Sequence, residues 1–208
     1  MLRSALDLPS SATWPKCRAL LSCAAGLAML LLGACGGDDP FAMDWAADID
    51  TVTLFSLARP ELNLESAYDF SNRLKVVVEE AMATGSWDMA VDDDGESVFI
   101  LAPGALGVDS RAGLAPMPGI TFDGLTEAPR DTSLYIRDRR IAVQPGDVFA
   151  VRTRELPGLF GETCVFFGKL EVLETDLEER TLRYFLESSP VCNDRNLVPT
   201  IQSSTPTS

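Results

Sequence analysis

The side chains with chemistry to offer here are cysteines, methionines, arginines and carboxylates, because the chain has no histidine at all. That absence removes Ser-His-Asp and Cys-His nucleophile systems, histidine zinc sites and histidine-ligated haem. No glycine-rich strand-to-helix phosphate loop is present either. Paired carboxylates can still run glycoside hydrolysis, yet among 31 Asp and Glu no pair stands out. The expectation is a protein that is not an enzyme.

Cys35 has the most specific context. It closes Leu32-Gly33-Ala34-Cys35, which ends an apolar run and opens Gly36-Gly37-Asp38-Asp39. A bacterial lipoprotein signal ends this way: the chain is cut before the cysteine and the thiol is acylated, with palmitate or a similar chain. Two or three acyl chains on one residue hold it to a bilayer essentially permanently, where a single chain would not. Cys17 and Cys23 leave with the signal. Cys164 and Cys192 are then the two left in an oxidising compartment, where such leftovers pair.

Of the methionines past Cys35, Met82 and Met89 sit in apolar patterns that suit a core. Met117 lies between Pro116 and Pro118 in a glycine-rich segment and is the candidate thioether ligand for haem iron, with Met89 as the second to test. Arg137, Arg139 and Arg140 are the one base-rich spot, suited to a carboxylate or propionate or to the solvent face of a strand. Asp92-Asp93-Asp94-Gly95-Glu96 has a calcium-loop look. Placing Gly95 at position six of such a loop puts Ala90 and Leu101 at the key ligand positions, so a solvated turn is expected.

The elements that must position these residues follow from pattern. Residues 1–34 read as signal peptide: Arg3, Lys16 and Arg18 precede 14 uncharged residues, Ala19–Leu32. That run is too short to span a bilayer, which takes roughly 20. Residues 35–44 are the lipidated cysteine and a tether reaching about 30 Å, residues 45–202 one domain, and residues 203–208 a disordered tail. The net charge is −14, and because the leader holds three bases and one acid, the exported part keeps 14 bases and 30 acids; so acidic a surface excludes nucleic acid, which demands clustered Lys and Arg.

Within the domain, Thr51–Leu57 reads as a strand rich in β-branched and aromatic residues. Asp69–Ala83 is ambiguous between a helical spacing and a β-branched run, leaning to strand for Leu74–Glu79. Trp87–Val91 and Ser97–Leu101 form a hairpin around the acidic turn. Pro103–Gly119 reads as a long irregular loop, the kind that carries function. Thr132–Arg137, Ile141–Val143 and Val148–Arg154 read as strands.

Thr163–Thr175 and Thr181–Ser188 are two more, and their register is fixed by side chains that swap faces at every residue. Pairing Val172 with Tyr184 and Leu170 with Leu186 keeps both apolar rows on one face. The same register, carried onward, sets Cys164 opposite Cys192. The fold class expected is all-β, a single antiparallel domain behind a lipoprotein signal.

The order of several pieces resembles the HmuY-type haem-binding lipoprotein family. The pieces are Trp87-Asp88-Met89-Ala90, a glycine-rich segment, Phe122-Asp123 with Glu127-Ala128-Pro129, Val148-Phe149-Ala150-Val151-Arg152-Thr153, Gly168-Lys169-Leu170 and Thr181-Leu182-Arg183-Tyr184-Phe185. The chain differs in having no histidine and in showing Leu101-Ala102-Pro103-Gly104 where an Asn-Gly-Gly-like turn belongs. The resemblance implies an all-β, lipid-anchored protein of the cell envelope, with the outer membrane as its address. It also implies non-catalytic ligand capture, with haem held by methionine as the named case. The alternative is a structural or protein-interaction lipoprotein with no small-molecule ligand, favoured if the Pro103–Gly119 loop borders an apolar patch and no pocket.

Overall fold

Alternation of apolar and polar residues, broken often by Gly and Pro, leaves this chain little choice but short strands. A computed structural model describes residues 43–200. The leader, Cys35, most of the tether and the tail 203–208 lie outside the described residues. The described chain is all-β, with strands β1 (Asp50–Phe55), β2 (Ala67–Asp69), β3 (Leu74–Val76), β4 (Met89–Asp93), β5 (Val98–Leu101), β6 (Gly113–Pro116), β7 (Ile141–Ala142), β8 (Val148–Arg152), β9 (Leu156–Pro157), β10 (Thr163–Cys164), β11 (Phe167–Asp176) and β12 (Thr181–Ser188). One antiparallel sheet runs β1-β12-β11-β8-β6, the other β3-β2-β4-β5-β7, and β9 with β10 forms a separate ribbon.

The sheets meet across one apolar cluster. Leu54, Phe149, Leu170, Val172, Leu182, Tyr184 and Leu186 come from the first sheet, and Tyr68, Met89, Val91 and Ile100 from the second. Their neighbours along each strand face outward, and those outer faces are covered too. Leu125, Ala128, Tyr135 and Leu197 cover Ala115, Ala150 and Phe167 on the first sheet. Trp87 packs with Ala67, Ala90 and Leu101 on the second. The ends of the domain are clasped, with Trp45 N–H donating to Thr200 Oγ1 at 2.9 Å and Thr200 N–H to the Trp45 carbonyl at 3.1 Å.

The hairpin register is as the alternation demands: Val172 lies opposite Tyr184 and Leu170 opposite Leu186. Past the ends of β11 and β12, Cys164 and Cys192 are joined, with Cα atoms 5.1 Å apart and a sequence separation of 28. A loop of that length removes about 3–4 kcal/mol of unfolded-chain entropy on the loop-closure account. Asn193, at φ +60°, secures the neighbouring turn by accepting from Val165 N–H at 3.0 Å and donating to the Thr163 carbonyl at 2.9 Å.

Four expected elements differ. The expected strand Thr163–Thr175 is split, because Asn193 and Thr153 side chains take the amides of Val165 and Phe166, and β10 pairs with β9 instead. Pro103–Gly119 is not wholly irregular: it holds a 3-10 turn at Pro103–Leu106 and β6, the edge partner of β8. Thr132–Arg137 begins as a 3-10 turn at Thr132–Leu134, started by Asp131 accepting from Ser133 N–H at 2.9 Å, the local competition that polar side chains offer to strands. Leu74–Glu79 is a strand only to Val76, with turns following.

Candidate ligand-binding site

Two stretches far apart in sequence are pressed together to make a cleft. Gly104 and Gly113 lie against residues 135–137, where a Cβ on Gly104 would fall 2.4 Å from the Arg137 carbonyl oxygen. A Cβ on Gly113 would sit 2.9 Å from side-chain atoms of both Tyr135 and Arg137. Only glycine permits this approach. Leu114 and Ile136 exchange backbone hydrogen bonds at 3.1 and 2.9 Å, and buried Tyr135 donates its hydroxyl to the Pro129 carbonyl at 3.1 Å. Burial raises the Tyr135 phenol well above its ordinary value, so it stays a donor.

The cleft so formed has a volume of about 500 Å³, within the usual range for small-molecule sites. Arg137 and Arg139 line it, with the hydroxyl residues Ser110, Thr132 and Ser133 and the carboxylates of Asp109 and Asp138. Arg137 makes no ion pair with a described carboxylate. Arg139 meets only Asp138, at 3.8 Å and with both side chains largely exposed, a contact of little energetic weight. Arg140 is elsewhere, its guanidinium 4.5 Å from the Phe99 ring centroid. The structure thus brings two of the three arginines to the glycine-rich segment and leaves the third stacked on β5.

The methionines are not brought together. Met89 is fully enclosed in the core between the sheets. Met117 packs on the outer cluster and borders a cavity of about 170 Å³ with Pro116, Gly119, Ile141 and Phe149. A haem needs far more room than that, and its iron needs both sulfurs facing one space. The residues present do not fit an axial Met117–Met89 pair, because strand alternation turns Met89 inward while Met117 lies outside the sandwich.

A buried group of charges lies where the pattern gave no warning. Arg154, just past β8, reaches Asp69 Oδ2 at 2.8 Å and Asp88 Oδ2 at 3.1 Å. Asp88 Oδ1 accepts from Arg154 N–H and Oδ2 from Phe70 N–H. Asp69 accepts from the amides of Ser71 and Asn72 and from the Asn72 side chain. Burial pushes the Asp88 carboxyl above its usual range against the pull of Arg154. At Asp69 burial also pushes up, but Arg154 and Asn72 outweigh it and hold the carboxyl low.

The acidic turn is a partial correction. Asp94 caps the amides of Glu96 and Ser97 as a solvated turn residue does, whereas Asp93 is buried and ion-paired to Arg180 at 2.9 Å. Glu162, Cys164 and Cys192 cluster closely enough to suggest metal donors, but both sulfurs are engaged in the disulfide.

Lys169 and Glu187 are partners across β11 and β12. Alternation places them on the face away from the sandwich interior. They are buried there, 3.2 Å apart, under Phe122, whose ring centroid is 4.7 Å from Lys169 Nζ. No protein-family model matches the chain, and no curated protein matches it in sequence.

Proposed function

We propose that this is an envelope-anchored lipoprotein that captures a small anionic ligand, without chemistry, in the cleft of Arg137 and Arg139. The observation that supports it is the cleft itself. On a chain of net charge −14, two arginines and three hydroxyls line one concave space beside the glycine-rich segment, together with Asp109 and the largely exposed Asp138. Guanidinium groups fit carboxylate and phosphate oxygens bidentately, and hydroxyls complete such a shell. The resemblance to HmuY-type proteins supports the envelope address and the idea of capture. Ligation through the two methionines has no support in the geometry, so a haem here would be held by its propionates.

The protein-interaction alternative has one observation in its favour. Leu159 and Phe160, at the tip of the β9–β10 ribbon, are 95% and 94% exposed. The deciding experiment is calorimetric titration of the purified protein with haemin and with citrate. Saturable binding of either, weakened tenfold or more in R137A/R139A and unchanged in M117A, is the expected result. No saturable heat from both probes overturns ligand capture at this cleft. The anchor is tested separately: Cys35→Ser should abolish incorporation of labelled palmitate.

A further inference from the structure

Two large apolar side chains stand in water at the tip of the β9–β10 ribbon. Leu159 and Phe160 are 95% and 94% exposed, so nothing among the described residues covers them. The turn that carries them is nonetheless braced. Gly158 N–H donates to the Glu162 carbonyl at 2.7 Å and Gly161 N–H to the Gly158 carbonyl at 3.3 Å. The Glu162 carboxylate accepts from Phe160 N–H at 2.9 Å, and Gly161 supplies the left-handed φ of +86° that closes the turn. The ribbon is only two residue pairs long, too short to hold itself, and the Cys164–Cys192 bond fixes its root. A loose loop could fold its apolar residues back onto the domain; this one holds them out.

We infer that Leu159 and Phe160 insert into the bilayer to which Cys35 is anchored, an inference that rests on the lipoprotein reading of that cysteine. Reach allows it. The tether holds the domain within about 30 Å of the lipid. Cys192, bonded to the ribbon, lies eight residues before Thr200, whose amide donates to the Trp45 carbonyl beside the tether. The ribbon root is therefore within about 28 Å of the tether's exit. A tethered domain meets the bilayer at high effective concentration, so two side chains suffice where a free protein would need more. Composition points to lipid as the occupant. Leu156–Gly161 carries no charge, and the amides of Gly158, Phe160 and Gly161 are satisfied inside the turn. Hydrocarbon requires that satisfaction, whereas a partner that adds a strand needs open backbone groups. Glu155 and Glu162 flank the run, so the matching surface is zwitterionic rather than anionic. The second contact fixes which face of the domain looks at the membrane.

The test places a tryptophan at the tip (F160W) or about 30 Å away along β11 (L177W) in the processed lipoprotein, reconstituted in phosphatidylcholine vesicles. Trp45 and Trp87 are buried and give the baseline, read on the unaltered chain. Chain-brominated phosphatidylcholine should quench the F160W signal about threefold or more, the result of burial ~5–10 Å below the headgroups, and leave L177W unquenched. Adding L159S to F160W should at least halve that quenching; both sites are almost fully exposed, so neither change threatens the fold. Equal quenching at the two tryptophans overturns the inference, because the domain then lies on lipid without using its tip. So does a blue-shifted F160W emission that bromine does not quench, the result when a second copy or another protein covers the tip. Flotation of the same vesicles reads the anchor separately. A chain that floats without F160W quenching overturns the tip alone, and one that does not float overturns anchor and tip together.

Discussion

Arg154 with Asp69 and Asp88, and Lys169 with Glu187, are both charge groups taken out of water, and they are finished differently. In the first, every carboxylate oxygen accepts at least one hydrogen bond, from guanidinium, backbone amide or the Asn72 side chain. Its members come from the end of β2, the approach to β4 and the exit of β8, so the group ties one sheet to the other. The second joins neighbours on a single sheet that are already paired through their backbones, and one of its oxygens has no partner. A saturated network serves the architecture. An unsaturated one, between neighbours on one sheet, adds little to it.

That contrast can be broken by measurement. Arg154→Met strands two buried carboxylates and should cost about 3–5 kcal/mol of stability by urea unfolding; a loss near zero would mean the network ties nothing. Asp93–Arg180 is the intermediate case, with one partner buried and the other a third exposed, and Asp93→Asn should cost about 1–2 kcal/mol at neutral pH. Burial pushes the Asp93 carboxyl up, but the Arg180 guanidinium outweighs it and holds it below its ordinary value. The native pKa is thus below the unfolded one of about 3.9. The contribution of Asp93 is complete above that value and is lost as pH falls through the native pKa. The gap between wild type and D93N should accordingly close below about pH 4, and a constant gap would remove the ion pair as its cause. The smallest effect belongs to K169M/E187L, expected within about 1 kcal/mol of wild type because a buried pair exchanged whole for apolar residues is often neutral. A loss rivalling that of Arg154→Met would erase the distinction between the two groups.

What the chain discloses in advance is what depends on period two. The β11–β12 register and the Cys164–Cys192 bridge follow from which residues share a face, and both stand in the structure. The same rule could not say whether a face is covered. Lys169 and Glu187 alternate with Leu170 and Leu186 as solvent residues would, and they are buried only because Phe122 and Leu197, distant in sequence, close over them. Arg154 finds Asp88 66 residues away and Asp69 85 away, separations at which no local pattern speaks. The cleft was half legible: the glycines and the arginines each stood out, but their juxtaposition rests on the approach of Gly104 and Gly113 to residues 135–137. Met89 was read both as core and as ligand, and its place on β4 decides for core. Residues 132–134 show the reverse failure, a strand-like composition overruled by a single aspartate side chain.

The clasp between Trp45 and Thr200 has a further meaning for how this sandwich can be built. With those two residues hydrogen-bonded to each other, the order in which the strands follow along the chain is not itself what holds them. A permuted gene that bridges Thr200 to Trp45 with a short linker, and starts the chain anew between Leu159 and Phe160, would break no pairing within either sheet. The ribbon tip, the most exposed apolar point among the described residues, would become a pair of free ends, and the domain could then be grafted into another protein by that tip.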